Sequence, residues 1–348
     1  MEKSDRNNLT GLVVGLLVSV VVIWFLFRDL DWPSLSSYFE RINYQFIPIV
    51  LLFSWSSYWL RALRWKLLIP TNNSVALKNL YHATSLGLLA SWILPLRAGE
   101  FIRPWALSKS DKVSFSSAFA SIVVERVFDV LALLVVLGIC LPQIEDIPPV
   151  VAAGSYILGA LASVISVVVV VAYLSGEWLL KTLDSVLGLL FSEGSKLRDS
   201  IISMAEEFTT GLRSISSFSE FFKAILYTIG LWMAFIGMYW SVLWCFGETG
   251  SAFLAALVTV MVGLAIAAPS GPGFVGTFQF GCVLALTTLS GYTKEFSIAY
   301  SVLNHALQAG FGVLLGLLSL KSMGLSFSSL TSSIKSSQNL STSKSVAN

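Results

Sequence analysis

An all-helical integral membrane bundle is the fold class this sequence predicts, and three observations carry the prediction. Of 348 residues, 55% are apolar and only 12% are charged, about half the charged share usual in soluble domains. Residues 9–27, 42–60, 150–175, 224–247, 249–293 and 296–320 contain no Asp, Glu, Lys or Arg, and a helix crossing about 30 Å of hydrocarbon needs roughly 20 apolar residues. Between those stretches nothing is large enough to form a soluble catalytic domain. The expected architecture is a polytopic bundle of about eight spans with a re-entrant piece and a broken helix.

Residues 1–8 read as a cytoplasmic N-terminus and 9–320 as the transmembrane domain. Residues 9–27 read as a retained first span, not a cleaved leader. The apolar stretch is longer than a usual signal core, and Phe27-Arg28-Asp29-Leu30-Asp31-Trp32 follows where cleavage needs small residues. After a short polar link, residues 44–68 form a second span ending in Arg61-Ala-Leu-Arg64-Trp65-Lys66, a basic and aromatic interface anchor. Residues 80–96 are moderately apolar and close on Pro95, and 114–141 are a span that carries Glu125, Arg126 and Asp129. Residues 150–173 are a plain apolar span.

Residues 177–223 differ. Leu197, Ile201, Met204, Phe208, Leu212 and Ile215 recur at helical spacing against a polar face, the pattern of an amphipathic helix, or of two broken near Gly194, lying on the cytoplasmic side. Residues 224–246 span again. Residues 249–293 are too long for one crossing and are interrupted by Pro269-Ser-Gly271-Pro272-Gly273-Phe-Val-Gly276, which reads as two helices around a glycine-rich break. Residues 296–320 are the last span, and the Ser-rich stretch 321–348 is expected to be disordered.

Orientation follows from Lys and Arg in the short loops. The loops at 142–149 and 247–250 hold acids and no base and are placed outside. Residues 61–78, 97–112, 177–223 and the tail are basic and are placed in the cytoplasm. A full crossing at 80–96 would put Arg97, Arg103, Lys109 and Lys112 outside, so that piece is expected to be re-entrant. Both termini are then cytoplasmic, in the inner membrane.

Net charge is +2, which argues against a nucleic-acid partner. Cys140, Cys245 and Cys282 stand alone in apolar runs and there are two histidines, so no metal site, disulfide framework or cofactor is expected. The chain has no P-loop, no H-E-x-x-H and no G-x-S-x-G.

Four features can carry function. Glu125 and Asp129 lie one turn apart on one helix face, with Arg126 in reach of Asp129. Ionisable groups inside a span are costly unless paired or wet, so they form either an ion-pair network that locks helices together, with Arg97 or Arg103 as partners, or the lining of a polar cavity for a charged headgroup. Arg97, Glu100 and Arg103 beside Pro95 are either a cytoplasmic loop or a re-entrant tip facing an anionic lipid. The Pro269–Gly276 break is either an ordinary turn or the broken-helix device by which transporters expose helix ends to substrate. His305, beside Asn304 and Gln308, is either a packing residue or a proton relay. Both breaks follow a small apolar stretch with glycine, Gly87-Leu-Leu-Ala and Gly263-Leu-Ala, which hints at two related halves although the spacing differs.

Taken in order, Arg61-Ala-Leu-Arg64-Trp65, Pro95-Leu-Arg97-Ala-Gly99-Glu100-Phe-Ile-Arg103, Glu125-Arg126-Val-Phe-Asp129, Pro269-Ser-Gly-Pro272-Gly273-Phe-Val-Gly276 and His305-Ala-Leu-Gln308 resemble the flippase-like transmembrane domain of the lysylphosphatidylglycerol synthases and its stand-alone relatives. The resemblance covers about residues 10–320. In those synthases a soluble domain modifies the lipid with aminoacyl-tRNA, and the membrane domain moves the product between leaflets. Some archaeal stand-alone relatives are implicated in protein glycosylation. The sequence ends soon after its last span, so lysyl transfer is not expected.

The resemblance implies translocation of a phospholipid, an aminoacylated lipid or a polyprenyl-linked lipid. The substrate-binding set is then Arg61, Arg64, Arg97, Glu100, Arg103, Glu125, Arg126, Asp129, Gly271, Gly273, Gly276, Gln279 and His305, with no catalytic residue. Arg97, Arg103 and Arg126 would meet phosphate, the acids would pair with them or meet a cationic headgroup, and the glycine break would supply backbone donors or a hinge. One departure stands out: where the family pattern usually ends in a carboxylate, this chain has Gln279. Expected partners are membrane lipids with an anionic or polyprenyl-phosphate headgroup and a lipid-modifying or glycosyltransferase protein. The rivals are a transferase acting on a lipid-linked donor, with Glu125 or Asp129 as base, and a non-catalytic partner of such a complex.

Overall fold

The computed structural model describes residues 3–69, 75–94, 99–111, 113–144, 149–191, 195–213, 217–268 and 270–326. Within them the chain is an all-α, polytopic helix bundle. In order it has α1 (Lys3–Phe27), α2 (Trp32–Glu40), α3 (Ile47–Leu68), α4 (Leu77–Ile93), α5 (Gly99–Ser110), α6 (Phe115–Cys140), α7 (Pro149–Leu190), α8 (Lys196–Arg213), α9 (Phe218–Cys245), α10 (Ala252–Ala267), α11 (Thr277–Val283) and α12 (Lys294–Ser322). Segments Tyr44–Leu68, Phe218–Cys245 and Lys294–Ser322 are long and apolar enough to cross a membrane.

Helix starts follow the sequence chemistry. A helix leaves its first N–H groups without partners, and apolar surroundings make that costly. Ser114, Ser217, Ser251 and Thr293 each accept from a backbone N–H of the first turn, opening α6, α9, α10 and α12. The short polar link expected after the first span holds a helix, α2, with Pro33 in its first turn. α7 leaves helical geometry at Ser175, where the plain apolar span was expected to give way to amphipathic sequence. Arg198 then ties α8 back to Asp184 at 2.6 Å. Gly194 and Ile215 lie outside the described residues, as does the tail from 327 onward. α12 runs through Ser322, and Met323 and Leu325 pack on the core.

Two antiparallel hairpins organise the interior. In the first, α4 and α5 are 17 and 12 residues long, and Gly87 comes so close to Arg103 that an added Cβ would lie 2.8 Å from that residue's own Cβ. At the open end Asn79 donates to Asp111 (3.0 Å). Residues 77–93 are therefore the first arm of a short helical hairpin, the shape expected of a re-entrant piece at 80–96, of which residues 95 and 96 lie outside the described residues. The second hairpin pairs α10, 16 residues long, with α11 and the π-helical turn Leu284–Thr288. Gly281 lies on Val262 of the facing arm, and at the open end the Tyr292 hydroxyl donates to Glu248 (3.4 Å).

α12 serves as a ruler for both. Near its start stands the open end of the second hairpin. Near its end, Ser319 and Ser322 bond His82 at the open end of the first, both at 3.0 Å. At mid-helix the two tips meet: Trp92 packs edge-on to Phe274, and its ring lies 5.3 Å from that of His305. The hairpins thus open toward opposite ends of the bundle. The two glycine-bearing stretches that hinted at related halves are the arms leading to these two tips.

Small residues allow the close approach, the common device of helix packing in lipid. An alanine Cβ at Gly281 would sit 2.6 Å from Val262 Cα, whereas at Gly230 the nearest atom is a Leu60 methyl at 3.6 Å. Gly281→Ala is therefore expected to cost about 1–3 kcal/mol through overpacking, and Gly230→Ala to be close to neutral. Thermal unfolding of the purified protein in detergent compares the two.

Candidate functional site

The charged residues of α6 sit between two hydrophobic cores. One gathers Val50, Leu134, Leu137 and Tyr300 toward the Cys245 end; the other gathers Ala62, Trp65, Ile102 and Ile122 toward the Leu68 end. α3 and α9 run antiparallel, with Phe53 against Gly237 and Leu60 against Gly230, which turns Arg61 and Arg64 toward α6. α5 brings Arg103 from the first hairpin. Four guanidinium groups thus surround two carboxylates.

A single oxygen of Glu125, Oε1, lies 2.9 Å from Arg103, 3.1 Å from Arg64, 3.5 Å from Arg126 and 3.7 Å from Arg61. Asp129 meets Arg64 at 2.7 Å, Arg126 at 3.3 Å and Arg61 at 4.0 Å. Arg64 also donates to the Thr228 hydroxyl on α9 (3.1 Å). Arg103 lies 4.0 Å over the face of Trp65, whose indole N–H donates to Ser121 (2.8 Å). The side chains of Arg64 and Glu125 are fully buried, and that of Arg126 is 40% exposed. Burying an ion requires paired and hydrogen-bonded surroundings, yet Arg103 Nε and Nη2, Arg126 Nε and Glu125 Oε2 are buried without a hydrogen-bond partner.

The ion-pair network read from α6 is present, with Arg103 as a partner and with two more, Arg61 and Arg64, which the sequence puts both in an interface anchor and, through the family resemblance, in the same substrate-binding set. Arg61-Ala-Leu-Arg64-Trp65-Lys66 is not simply an interface anchor. Arg64 and Trp65 are fully buried, because two carboxylates on the neighbouring helix draw the guanidinium inward and leave the indole to stack under Arg103. Glu100 is half-buried and forms no ion pair among the described residues, although its charge acts on Arg126. Arg97 and Pro95 lie outside the described residues, as does Pro269. Thr228, Ser121 and Trp65 were missed as polar partners; their only sequence signal is polar or aromatic character inside apolar spans.

A second polar network holds the tip of the hairpin formed by α10 and α11. Gly273, Phe274 and Gly276 all have positive φ (68°, 60° and 91°). Glycine adopts such angles freely; Phe274 does so at a cost. Gln279 fixes the turn by accepting from the Gly276 N–H (2.8 Å). Its amide nitrogen faces His305 Nδ1 (2.7 Å), and His305 Nε2 faces the Gly273 carbonyl (2.8 Å). One assignment satisfies every group: the amide donates to Nδ1, and Nε2–H donates to the carbonyl. The His305 ring stacks on Phe278 at 4.7 Å, and Ser19 of α1 accepts from the Gly271 N–H (2.9 Å). Gly273, Gly276, Gln279 and His305 are therefore one unit, and the donors of Gly271 and Gly276 are engaged internally.

The two networks approach each other through Tyr58 and Trp92. A Cβ on Gly312 would lie 2.7 Å from both the Tyr58 hydroxyl and the Trp92 indole nitrogen, and Tyr58 is one turn from Arg61 on α3. Outside, Trp24, Leu52, Val135, Ile139, Ile229, Met233, Leu314 and Leu317 are exposed, an apolar surface suited to lipid and not to water.

A bundle with a lipid-facing exterior, opposed hairpins and a buried surplus of guanidinium groups is an integral membrane protein built around a polar interior site. The family model for the lysylphosphatidylglycerol synthase TM region matches residues 12–316, nearly the whole chain, and the protein belongs to that family. The chain is also similar to a protein of Haloferax volcanii described as glycosyltransferase AglD, at 24% identity over 358 residues, covering 94% of this chain and 56% of the relative. The chain thus spans about half the length of the curated relative it matches. Family and relative together support a function concerned with membrane lipids.

Proposed function

We propose that the protein carries a phosphate-bearing membrane lipid between leaflets, binding its headgroup at the site formed by Arg61, Arg64, Arg103, Glu125, Arg126 and Asp129. The observation that carries this reading is the unbalanced charge of that site: four buried or half-buried guanidinium groups face two carboxylates, within reach of the half-exposed Arg126. Guanidinium is the side chain best matched to phosphate oxygens. The lipid is a phospholipid, an aminoacylated lipid or a polyprenyl-linked lipid, and its chains stay in the bilayer while the headgroup travels inside the protein.

In this reading the membrane is the cytoplasmic one and both termini face the cytoplasm, since the basic loops lie at the Leu68 end. The charged site then stands in the cytoplasmic half, and the meeting hairpin tips form the barrier beyond it. The tips are the moving part, because broken helices at mid-depth are how many transporters open a path.

A transferase acting on a lipid-linked donor is the second reading, favoured by the name of the Haloferax relative. It ranks below because Glu125 and Asp129 are each held by three or more guanidinium groups, the position of a counter-ion and not of a base. The test is leaflet exchange of labelled lipids in vesicles holding the purified protein. Arg126→Gln is expected to slow exchange about tenfold or more, the loss of one charge-assisted contact, with unfolding temperature nearly unchanged. Exchange that survives in the folded variant contradicts the proposal. A change in lipid mass instead of leaflet points to the transferase.

A further inference from the structure

We infer that the anion accommodated by this site carries two or more charges: a terminal phosphate or diphosphate monoester, not the singly charged phosphodiester of an ordinary phospholipid. The inference rests on the reading that the α3–α5–α6 cluster is where phosphate binds, and it goes further by naming which phosphate.

Charge comes first. Among the described residues, Arg61, Arg64, Arg103 and Arg126 face only Glu125 and Asp129 within ion-pair distance. Two positive charges therefore have no ion-pair partner among the described residues, Glu100 acting on Arg126 only from beyond that distance, in surroundings where solvent screens poorly. One phosphodiester neutralises half of that surplus. A phosphomonoester carries close to two negative charges at neutral pH and neutralises nearly all of it. A cationic aminoacyl headgroup would add to it.

Hydrogen bonding points the same way. Guanidinium presents several N–H donors and no acceptor. Here one carboxylate oxygen, Glu125 Oε1, is shared among all four arginines, while Arg103 Nε and Nη2 and Arg126 Nε are buried with no acceptor. A terminal phosphate brings three acceptor oxygens; a diester brings two free oxygens and a second bulky substituent. Arg103 is clamped over Trp65 and bonded to Glu125, so its free nitrogens are held in fixed positions. Arg126, half-exposed, is the group through which an anion reaches them.

The experiment is a binding series on the full-length protein in detergent micelles at pH 8. The probes are phosphatidate, phosphatidylglycerol and its lysyl ester, all with the same acyl chains, together with polyprenyl diphosphate, inorganic phosphate and pyrophosphate. Phosphatidate and polyprenyl diphosphate are expected to bind about tenfold tighter than phosphatidylglycerol, the order of one desolvated charge contact. Arg126→Gln removes one of the two surplus charges and is expected to shrink that ratio to within about threefold while weak binding remains. Arg126→Lys, which keeps the charge, is expected to keep most of the ratio.

Inorganic phosphate or pyrophosphate that binds as tightly as the lipids assigns the site to a free anion of the same charge. Ions that bind only weakly assign it to a lipid headgroup. Phosphatidylglycerol or its lysyl ester binding as tightly as phosphatidate overturns the inference, and so does a ratio untouched by Arg126→Gln. Transport is judged separately. A preserved binding ratio without leaflet exchange removes translocation and leaves the dianion site. Exchange of phosphatidylglycerol as fast as phosphatidate, with equal binding, removes the dianion site and leaves translocation.

Discussion

Glu125→Gln lowers the stability of the folded protein by about 3–5 kcal/mol, the range for removing one partner of a buried ion pair. The size follows from geometry. Glu125 is fully buried, and its Oε1 stands within 4 Å of Arg61, Arg64, Arg103 and Arg126, so four positive groups from α3, α5 and α6 lose their common counter-ion in one step. The neutral amide is nearly isosteric, so no cavity confuses the result. Thermal unfolding of the detergent-solubilised protein, followed by tryptophan fluorescence, reads the loss. Glu125→Gln combined with Arg64→Leu recovers part of it, because the repulsion created by the first change is relieved by the second. An unfolding temperature unaltered in Glu125→Gln means that the cluster does not hold α3, α5 and α6 together.

His305→Ala destabilises by roughly 3 kcal/mol. The substitution removes the ring stacked on Phe278, leaves the Gly273 carbonyl without its donor and leaves the Gln279 amide without its acceptor. His305→Phe keeps the stacked ring and loses both hydrogen bonds, so it falls between alanine and wild type. The effect is expected to be local. Limited proteolysis or hydrogen exchange shows greater opening of residues 270–283 than of α3 or α6. If His305 were an ordinary packing residue, phenylalanine would match wild type and the tip would stay protected.

Long charge-free stretches gave away the bundle, because hydrocarbon imposes helical length and excludes charge so strongly that run lengths suffice. The short hairpin of α4 and α5 was legible from a conflict between a full crossing at 80–96 and the positive-inside pattern. The break at Gly271–Gly276 was legible from its glycines and prolines. The link to α2 was not, since Trp32–Glu40 is polar and short and its helix depends on packing Leu35 against α12.

On the site, Glu125, Arg126 and Asp129 were visible because charge inside a span is conspicuous. Their strongest partner, Arg64, joins them in the expected set only through the family resemblance; by position it reads as part of an interface anchor, since a basic residue near a span end normally reaches for the headgroups. Only the carboxylates on a different helix turn it inward. Thr228, Trp65 and Ser121 give no signal in a single sequence, because hydroxyl and indole groups are common in apolar spans. The union of Gln279 with His305 and Gly273 is a tertiary contact across 26 and 32 residues that spacing cannot foresee. It also gives Gln279 a concrete role where the family pattern usually has a carboxylate: an amide can accept from Gly276 and donate to His305 together, which an ionised carboxylate cannot.

In the proposed lipid path the two networks would divide the labour: the arginine cluster would supply the headgroup with charge and the hairpin tips a closed barrier, with Tyr58 and Trp92 between them. A substitution in one should leave the other folded, since α3, with Tyr58 beside Arg61 and Arg64, is the one named helix that carries residues of both.

The most direct test of the central claim is a solid-state NMR distance measurement between lipid phosphorus and arginine guanidinium carbon, on labelled protein in vesicles containing phosphatidate. The expected result is a phosphorus–carbon contact of about 4 Å, the spacing of a guanidinium bonded to phosphate, that is present in the wild type and absent from the folded Arg126→Gln variant. The same contact at equal strength in both proteins means that the signal comes from arginines at the membrane surface. The buried cluster would then be an ion-pair lock between helices and no part of a lipid path.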